Sequence, residues 1–230
     1  MTNHITSTDI LTINIANITK SLSKARFDSY RVAGETDRIA LSKYIWNLLL
    51  CESLYSGFQI LEVAFRNSIH TEIAICAKDA QWLTNEIFLF EEEKAAIKIS
   101  KKSISDRKGT LTEDVLVAEM SFGFWTSLLD VRYDTMWHRI IKGVFPNMPK
   151  TDRTRKEASK AMNTVRKLRN AALHHHSIWH WSDLDQQHET MKALIGYICN
   201  SSLLLYGRID RFPMIHGSGY KECEKLLEGL

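Results

Sequence analysis

The segment Leu168-Arg169-Asn170-Ala171-Ala172-Leu173-His174-His175-His176 sets an arginine, an asparagine and three consecutive histidines side by side in the chain. Arginine carries a fixed cation on a planar fork that matches phosphate oxygens, and histidine is the side chain whose ordinary pKa lets it exchange protons near neutral pH. Together these residue types point to phosphodiester chemistry that needs no metal.

Spacing constrains how such a site is built. Five residues of ideal helix turn the chain by about 140° and advance it about 7.5 Å, so Arg169 and His174 do not share a helix face. His176, seven positions on, does. A site that uses Arg169 with His174 therefore requires the helix to end or bend near Leu173, or requires a second subunit to complete the cleft. His175, His176 and Ser177 are poor helix-interior residues, so the local sequence permits the break. Two other readings stay open. His176 and His180 form an i,i+4 ligand pair, although no carboxylate or cysteine stands at motif spacing to complete a zinc set. The histidines could equally cap a helix carboxyl end, where imidazolium interacts well with the dipole.

The stretch that leads into the motif is basic. From Lys150 to Arg169 stand Lys150, Arg153, Arg155, Lys156, Lys160, Arg166, Lys167 and Arg169, against Asp152 and Glu157 alone. The whole chain carries only +3, so it is the local excess that would attract a polyanion; Lys156, Lys160, Arg166 and Lys167 are the candidate residues to bind it. A solvated helix face is the plainer alternative.

The elements that must position these residues are helical. Only 3 prolines and 10 glycines interrupt 230 residues, and long runs rich in Leu, Ile, Ala, Lys and Glu favour an all-α protein with one sizeable core. A first helix is expected from Ile18 to Ala33, stopping at Gly34. Leu41, Ile45, Leu48, Cys51, Tyr55, Phe58, Leu61, Phe65, Ile69, Ile73 and Cys76 recur at steps of three or four and predict one long central helix. On it Glu62, Arg66 and His70 are four apart, placing them in line either as an exposed ion-pair ladder or as a hydrogen-bonded support for the site. A charged helix and loop over 91–109, a capping box Thr110-x-x-Glu113 opening a helix that runs through Leu129, and a short helix around Met136 to Ile141 follow. The aromatic run Phe122-Gly123-Phe124-Trp125 reads as core packing rather than a base-stacking platform. The basic helix buries Ala158, Met162, Val165, Leu168 and Ala172. Ser182 is the expected N-cap of a last long helix carrying Leu184, Met191, Leu194, Ile195, Ile198 and Leu205 to Gly207, with a small helix near Lys221 to Leu227.

Other chemistries lack their signatures: no GxxxxGK[ST], GxGxxG or HExxH occurs, and Gly217-Ser218-Gly219 does not have the spacing of a nucleophile elbow. Cys51, Cys76, Cys199 and Cys223 form no CxxC pair and read as reduced core thiols. The start Met1-Thr2-Asn3-His4-Ile5-Thr6-Ser7 has no signal-peptide layout and no uninterrupted run of about 18 apolar residues exists, so a cytoplasmic protein with no membrane partner is expected.

Several segments, in order, resemble the Abi-like (abortive infection) proteins of the HEPN superfamily, whose motif is Arg-x4-6-His, typically within Arg-Asn-x-x-Ala-His-His-Glu-Pro-Ile. Here the motif reads Arg169-Asn170-Ala171-Ala172-Leu173-His174-His175-His176-Ser177-Ile178. Leu22-Ser23-x-x-Arg26 with Tyr30, Tyr44-Ile45-Trp46-Asn47, Leu61-Glu62-Val63-Ala64-Phe65-Arg66-Asn67, Ser121-Phe122-Gly123-Phe124-Trp125 and Phe145-Pro146 extend the likeness over Ile18 to Tyr206. The resemblance divides the chain into an N-terminal extension (1–17), an Abi-like HEPN domain (18–206) and a C-terminal tail with a short helix (207–230). His176-Ser177 replaces the usual Glu-Pro, Ala171 stands where arginine is frequent, and His176 occupies the place of the tyrosine found in members silenced by adenylylation.

What the resemblance implies is a HEPN-type helical bundle with additional helices that forms a homodimer, joining two motifs in one cleft. It implies metal-independent RNA cleavage with no cofactor, by a phage-defence effector or toxin governed by an antitoxin or a phage-derived activator. Arg169 would hold the phosphate, Asn170 would orient the backbone or a histidine, and His174, helped by His175 or His176, would move the proton of the ribose 2′-hydroxyl or of the leaving 5′-oxygen, leaving a 2′,3′-cyclic phosphate. DNA, without the 2′-hydroxyl, could not react in this way. A non-catalytic HEPN module that binds RNA or a partner protein is the alternative.

Overall fold

The computed structural model describes residues 14–227, and every regular element among them is helical. Helices α1 (Ile15–Leu22), α2 (Lys24–Asp28), α3 (Asp37–Ala77), α4 (Glu91–Asp106), α5 (Glu113–Glu119), α6 (Phe122–Ser127), α7 (Asp134–Val144), α8 (Arg155–Leu173), α9 (Leu184–Ile198), α10 (Asn200–Ile209) and α11 (Phe212–Lys225) follow in order, with one 3-10 turn at Val131–Tyr133. The all-α expectation holds. The polar start from Met1 to Ser7 lies outside the described residues, as does most of the 1–17 extension.

Among the described residues the chain forms two compact units, each discontinuous in sequence: residues 14–53, Ala172–Trp181 and residues 211–227 make the first, Leu54–Ala171 and Ser182–Asp210 the second. The division passes through α3 and through the last turn of α8.

In the first unit, Phe27, Tyr30, Ala40, Leu41 and Leu227 form a buried cluster, flanked by Ile15, Ile18, Leu22, Tyr44, Ile45 and Trp179. The single helix expected over Ile18–Ala33 is interrupted at Ser23, whose φ of 70° places it in the left-handed region. The hydroxyl of that residue accepts from the Arg26 amide, so one serine stops α1 and caps α2. Gly34, the expected stop, instead serves the turn beyond α2 with φ +86°. Thr36 opens α3 by accepting from the Ile39 amide.

In the second unit, the α3 residues Phe58, Leu61, Phe65, Ile69 and Ile73 are buried as their period predicts. Earlier on α3, Leu48 and Tyr55, expected on the same stripe, are exposed, and Leu50 and Leu54 are buried instead. Length and composition would let α3 cross a membrane, a test that core helices also pass. Phe65 packs edge-on to Phe122 and stacks on Phe145, and Trp125 meets both Trp82 and Phe124. Phe122, Phe124 and Trp125 are therefore core, in keeping with their helical spacing.

Further helix boundaries differ from expectation: the helix expected to run through Leu129 breaks at the extended Met120 into α5 and α6, and the small helix expected near Lys221 to Leu227 is the end of α11, which starts at Phe212 and kinks at Gly219. Thr112, not Thr110, caps α5, and the Glu113 carboxylate turns away from the cap to accept from the Leu83 and Thr84 amides, the Thr84 hydroxyl and the His70 ring. The last long helix, opened at Asp183 rather than Ser182, breaks at Cys199, which is extended (φ −153°, ψ 113°), giving α9 and α10. After the break Leu204 and Leu205 face solvent, so Leu205 does not continue the buried stripe of Leu184, Met191, Leu194 and Ile195. The domain boundary expected at 206–207 falls inside α10.

Candidate functional site

Helix α8 starts at the Thr154 cap, whose hydroxyl accepts from the Glu157 amide, and buries Ala158, Met162, Val165, Leu168 and Ala172, all five of the expected positions. With that side fixed, the opposite side is set by the 100° step per residue. Lys156, Lys160 and Lys167 fall within about 40° of one another and are exposed, and Arg166, about 80° to 120° round the helix from them, is half-buried. None of the four makes an ion pair among the described residues. Two of the remaining charges are structural: Arg153 donates to the Pro146 and Met148 carbonyls, and Arg155 pairs with Asp134 and donates to the Leu129 carbonyl. Part of the basic excess thus ties α8 down, and part faces water.

Arg169 lies at the edge of the buried side of α8, about a quarter exposed. Its Nε donates to Glu62 Oε1 at 2.6 Å and its Nη1 to Asn170 Oδ1 at 3.2 Å, leaving Nη2 without a partner among the described residues. Glu62 thus fixes the fork and offsets its charge. Glu62, Arg66 and His70 do not bond to one another in line: His70 pairs with Glu113 at 3.0 Å, while the Arg66 Nε is buried with no hydrogen-bond partner among the described residues. The three share a helix side, yet each has a different environment because neighbouring elements reach the helix at different heights.

At its carboxyl end α8 stops at Leu173, where a site built on Arg169 and His174 needs it to stop. His175 takes φ +62°, its amide donates to the Ala172 carbonyl, and His174, His175 and His176 are all exposed. The left-handed residue ends the helix in the way glycine commonly does, so the cap reading and the catalytic reading describe the same turn.

The histidine turn is tethered within the first unit. The buried Asn47 Oδ1 accepts from the Ile178 amide at 2.7 Å and the Trp179 amide at 3.2 Å, and Arg26 Nη2 donates to the His175 carbonyl. Trp179 in turn covers Lys43, whose ammonium lies 4.6 Å from its ring centroid and is paired to Glu35. Arg26 and Asn47 occur in the quoted family-like segments, but the sequence assigned them no role. Their polarity within apolar helical patterns was the only signal.

Among the described residues no three His, Cys, Asp or Glu side chains gather into a metal-binding group, and His176 and His180 do not share a helix that would align them as an i,i+4 pair. The four cysteines are free, and burial pushes the Cys51 thiol up to about 11. Sequence reasoning also missed a buried polar group in the second unit: His188 Nε2 lies 3.1 Å from the Tyr206 hydroxyl and 3.0 Å from Asp210 Oδ2. No protein-family model matches the chain, and neither the curated proteins nor the solved structures compared with it give a match.

Proposed function

We propose that this chain is a metal-independent RNA endonuclease of the Abi-like HEPN kind, a phage-defence effector or toxin that works as a homodimer in the cytoplasm. One observation carries the reading: α8 ends at Leu173, so the chain passes directly from a guanidinium held by Glu62 and Asn170 to a turn of three exposed histidines. Arg169 Nη2 is left to bind a phosphate oxygen, and Lys156, Lys160, Arg166 and Lys167 supply the field that gathers RNA. In the reaction His174 takes the proton of the 2′-hydroxyl, the 2′-oxygen attacks phosphorus, and the 5′-oxygen leaves with a proton from a second histidine, His175 or His176. The products are a 2′,3′-cyclic phosphate and a 5′-hydroxyl end.

A second reading is favoured by the Glu62–Arg169 pair itself. A guanidinium already neutralised by a carboxylate suits a non-catalytic module that binds RNA or a partner protein through the lysines of α8. Incubation of the purified chain with tRNA and mRNA in EDTA, with any activator it requires, separates the two. Cleavage that disappears in Arg169→Ala and His174→Ala supports the nuclease. Intact RNA, bound in a salt-sensitive way that His174→Ala leaves unchanged, rejects it in favour of the binding module.

A further inference from the structure

A pocket of about 250 Å³ opens beside α8 in the second unit, lined among others by Thr126, Asp130, Arg132, Ser159, Asn163 and Arg166. Its charges are arranged in opposition. Arg132 has its fork engaged by Glu92 and Glu93, which leaves Arg166 as the cation without an acidic partner among the described residues. Arg166 Nε donates to Asn163 Oδ1 at 3.3 Å, and Asn163 Nδ2 donates to Ser159 at 3.4 Å, so this end of the guanidinium is held while both terminal nitrogens remain available. Asp130 uses Oδ1 to cap the Val131–Tyr133 turn through the Arg132 amide, the same oxygen lies 3.8 Å from Arg132 Nε as a long ion pair, and Oδ2 has no hydrogen bond among the described residues.

We infer that this pocket is a guanine-binding subsite for the RNA chain. A phosphate would meet Asp130 as well as Arg166 and gain little. Guanine presents two adjacent acceptors, O6 and N7, to an arginine fork, while its Watson–Crick edge carries N–H donors that a carboxylate accepts. Adenine offers the fork one acceptor and a donor instead. The pocket therefore matches guanine with Arg166 on O6 and N7 and Asp130 on the opposite edge, with Ser159 and Thr126 available to the sugar. Arg166 and Asn163 precede Arg169 by three and six residues on α8, an axial distance of about 5 to 9 Å. The bound base would then lie within one or two nucleotides of a phosphate on Arg169; this register rests on the RNA reading above, whereas base recognition does not.

Titration of the full-length chain with 5′-GMP, 5′-AMP, 5′-CMP and 5′-UMP, followed by calorimetry and by NMR of the arginine Nε–H signals, tests the site. GMP should bind more tightly than each of the others by about 5-fold to 150-fold, the range expected of one good bidentate contact. Arg166→Lys keeps the charge without the fork, and Asp130→Asn keeps a turn-capping side chain without the carboxylate; each should abolish the preference while the melting temperature stays near that of the parent. Equal binding of the four nucleotides, or a GMP preference that survives both substitutions, overturns the subsite. Guanine selectivity in a chain that cuts no RNA leaves the subsite standing and removes the nuclease. RNA cleavage that is insensitive at every guanine to Asp130→Asn and Arg166→Lys does the reverse.

Discussion

Glu62 and Arg169, 107 positions apart, are joined by a 2.6 Å hydrogen bond between a carboxylate on the central helix and the guanidinium of the motif. Both side chains are about a quarter exposed, so the pair is screened by water and contributes at most about 1 kcal/mol to stability. Its consequence is orientation and charge. With Nε held by Glu62 and Nη1 by Asn170, Nη2 is the nitrogen left to a phosphate, and the carboxylate lowers the field that the phosphate would feel.

Glu62→Gln should therefore separate attraction from positioning. The variant keeps an acceptor for Nε but loses the negative charge and with it the stronger, charge-assisted bond, so RNA should bind several-fold more tightly at low salt while cleavage slows by up to about a hundredfold as the fork is held less firmly. Filter binding and single-turnover cleavage, run on the same preparation, read the two effects. Weaker binding with unchanged cleavage would contradict the assignment.

Asn47→Ala should unfasten the histidine turn. The amide oxygen accepts from two backbone donors that keep no other partner, and leaving both unsatisfied costs about 2 to 4 kcal/mol. A lowered melting temperature should be accompanied by faster hydrogen exchange at Ile178 and Trp179, with the α8 amides before Leu168 unaffected. Uniform loss of protection through the chain would show that Asn47 serves general packing instead.

Elements set by apolar period were legible before the structure. The α8 buried side and the α3 stripe from Phe58 to Ile73 follow from steps of three and four, whereas Leu48 and Tyr55, placed on that stripe by the same count, face solvent; the stop at Leu173 is one that the poor helix-interior residues His175, His176 and Ser177 permit. Breaks made by single residues were not legible. Ser23 and Cys199 interrupt sequences whose apolar pattern continues, because a hydroxyl cap or one extended residue leaves the period nearly intact. Partners were hidden for a different reason. Glu62 sits in register with Arg66 and His70, so local spacing offered neighbours one turn away, whereas its partner and that of His70 come from distant segments.

Glu113 gives one of the largest expected losses of stability in the second unit. Its carboxylate accepts four hydrogen bonds, from Leu83, Thr84 twice, and His70, and closes the 83–84 turn over the start of α5. Glu113→Ala strands two backbone donors and should cost about 3 to 5 kcal/mol, measurable as a shift of the urea midpoint. Glu113→Gln, which retains one acceptor oxygen, should lose distinctly less. Equal losses in the two would mean that volume, rather than hydrogen bonding, is what the turn requires.

His188 should make stability depend on pH near neutrality. Burial holds its imidazole below the ordinary value, outweighing the Asp210 carboxylate that favours the protonated ring. The unfolded chain then takes up a proton near its ordinary pKa of about 6.5, while the folded chain takes it up only at lower pH. More protons are bound in the unfolded state within that window, so stability is fully present above about pH 6.5 and declines as pH falls toward the folded value. Melting temperatures measured from pH 8 to pH 5.5 at constant ionic strength should fall for the parent chain. His188→Gln, which keeps an amide donor toward Asp210 and does not titrate, should start lower and change less over the same range. An identical slope in the variant would assign the pH dependence to other groups and leave the His188, Tyr206 and Asp210 contact with a packing role alone.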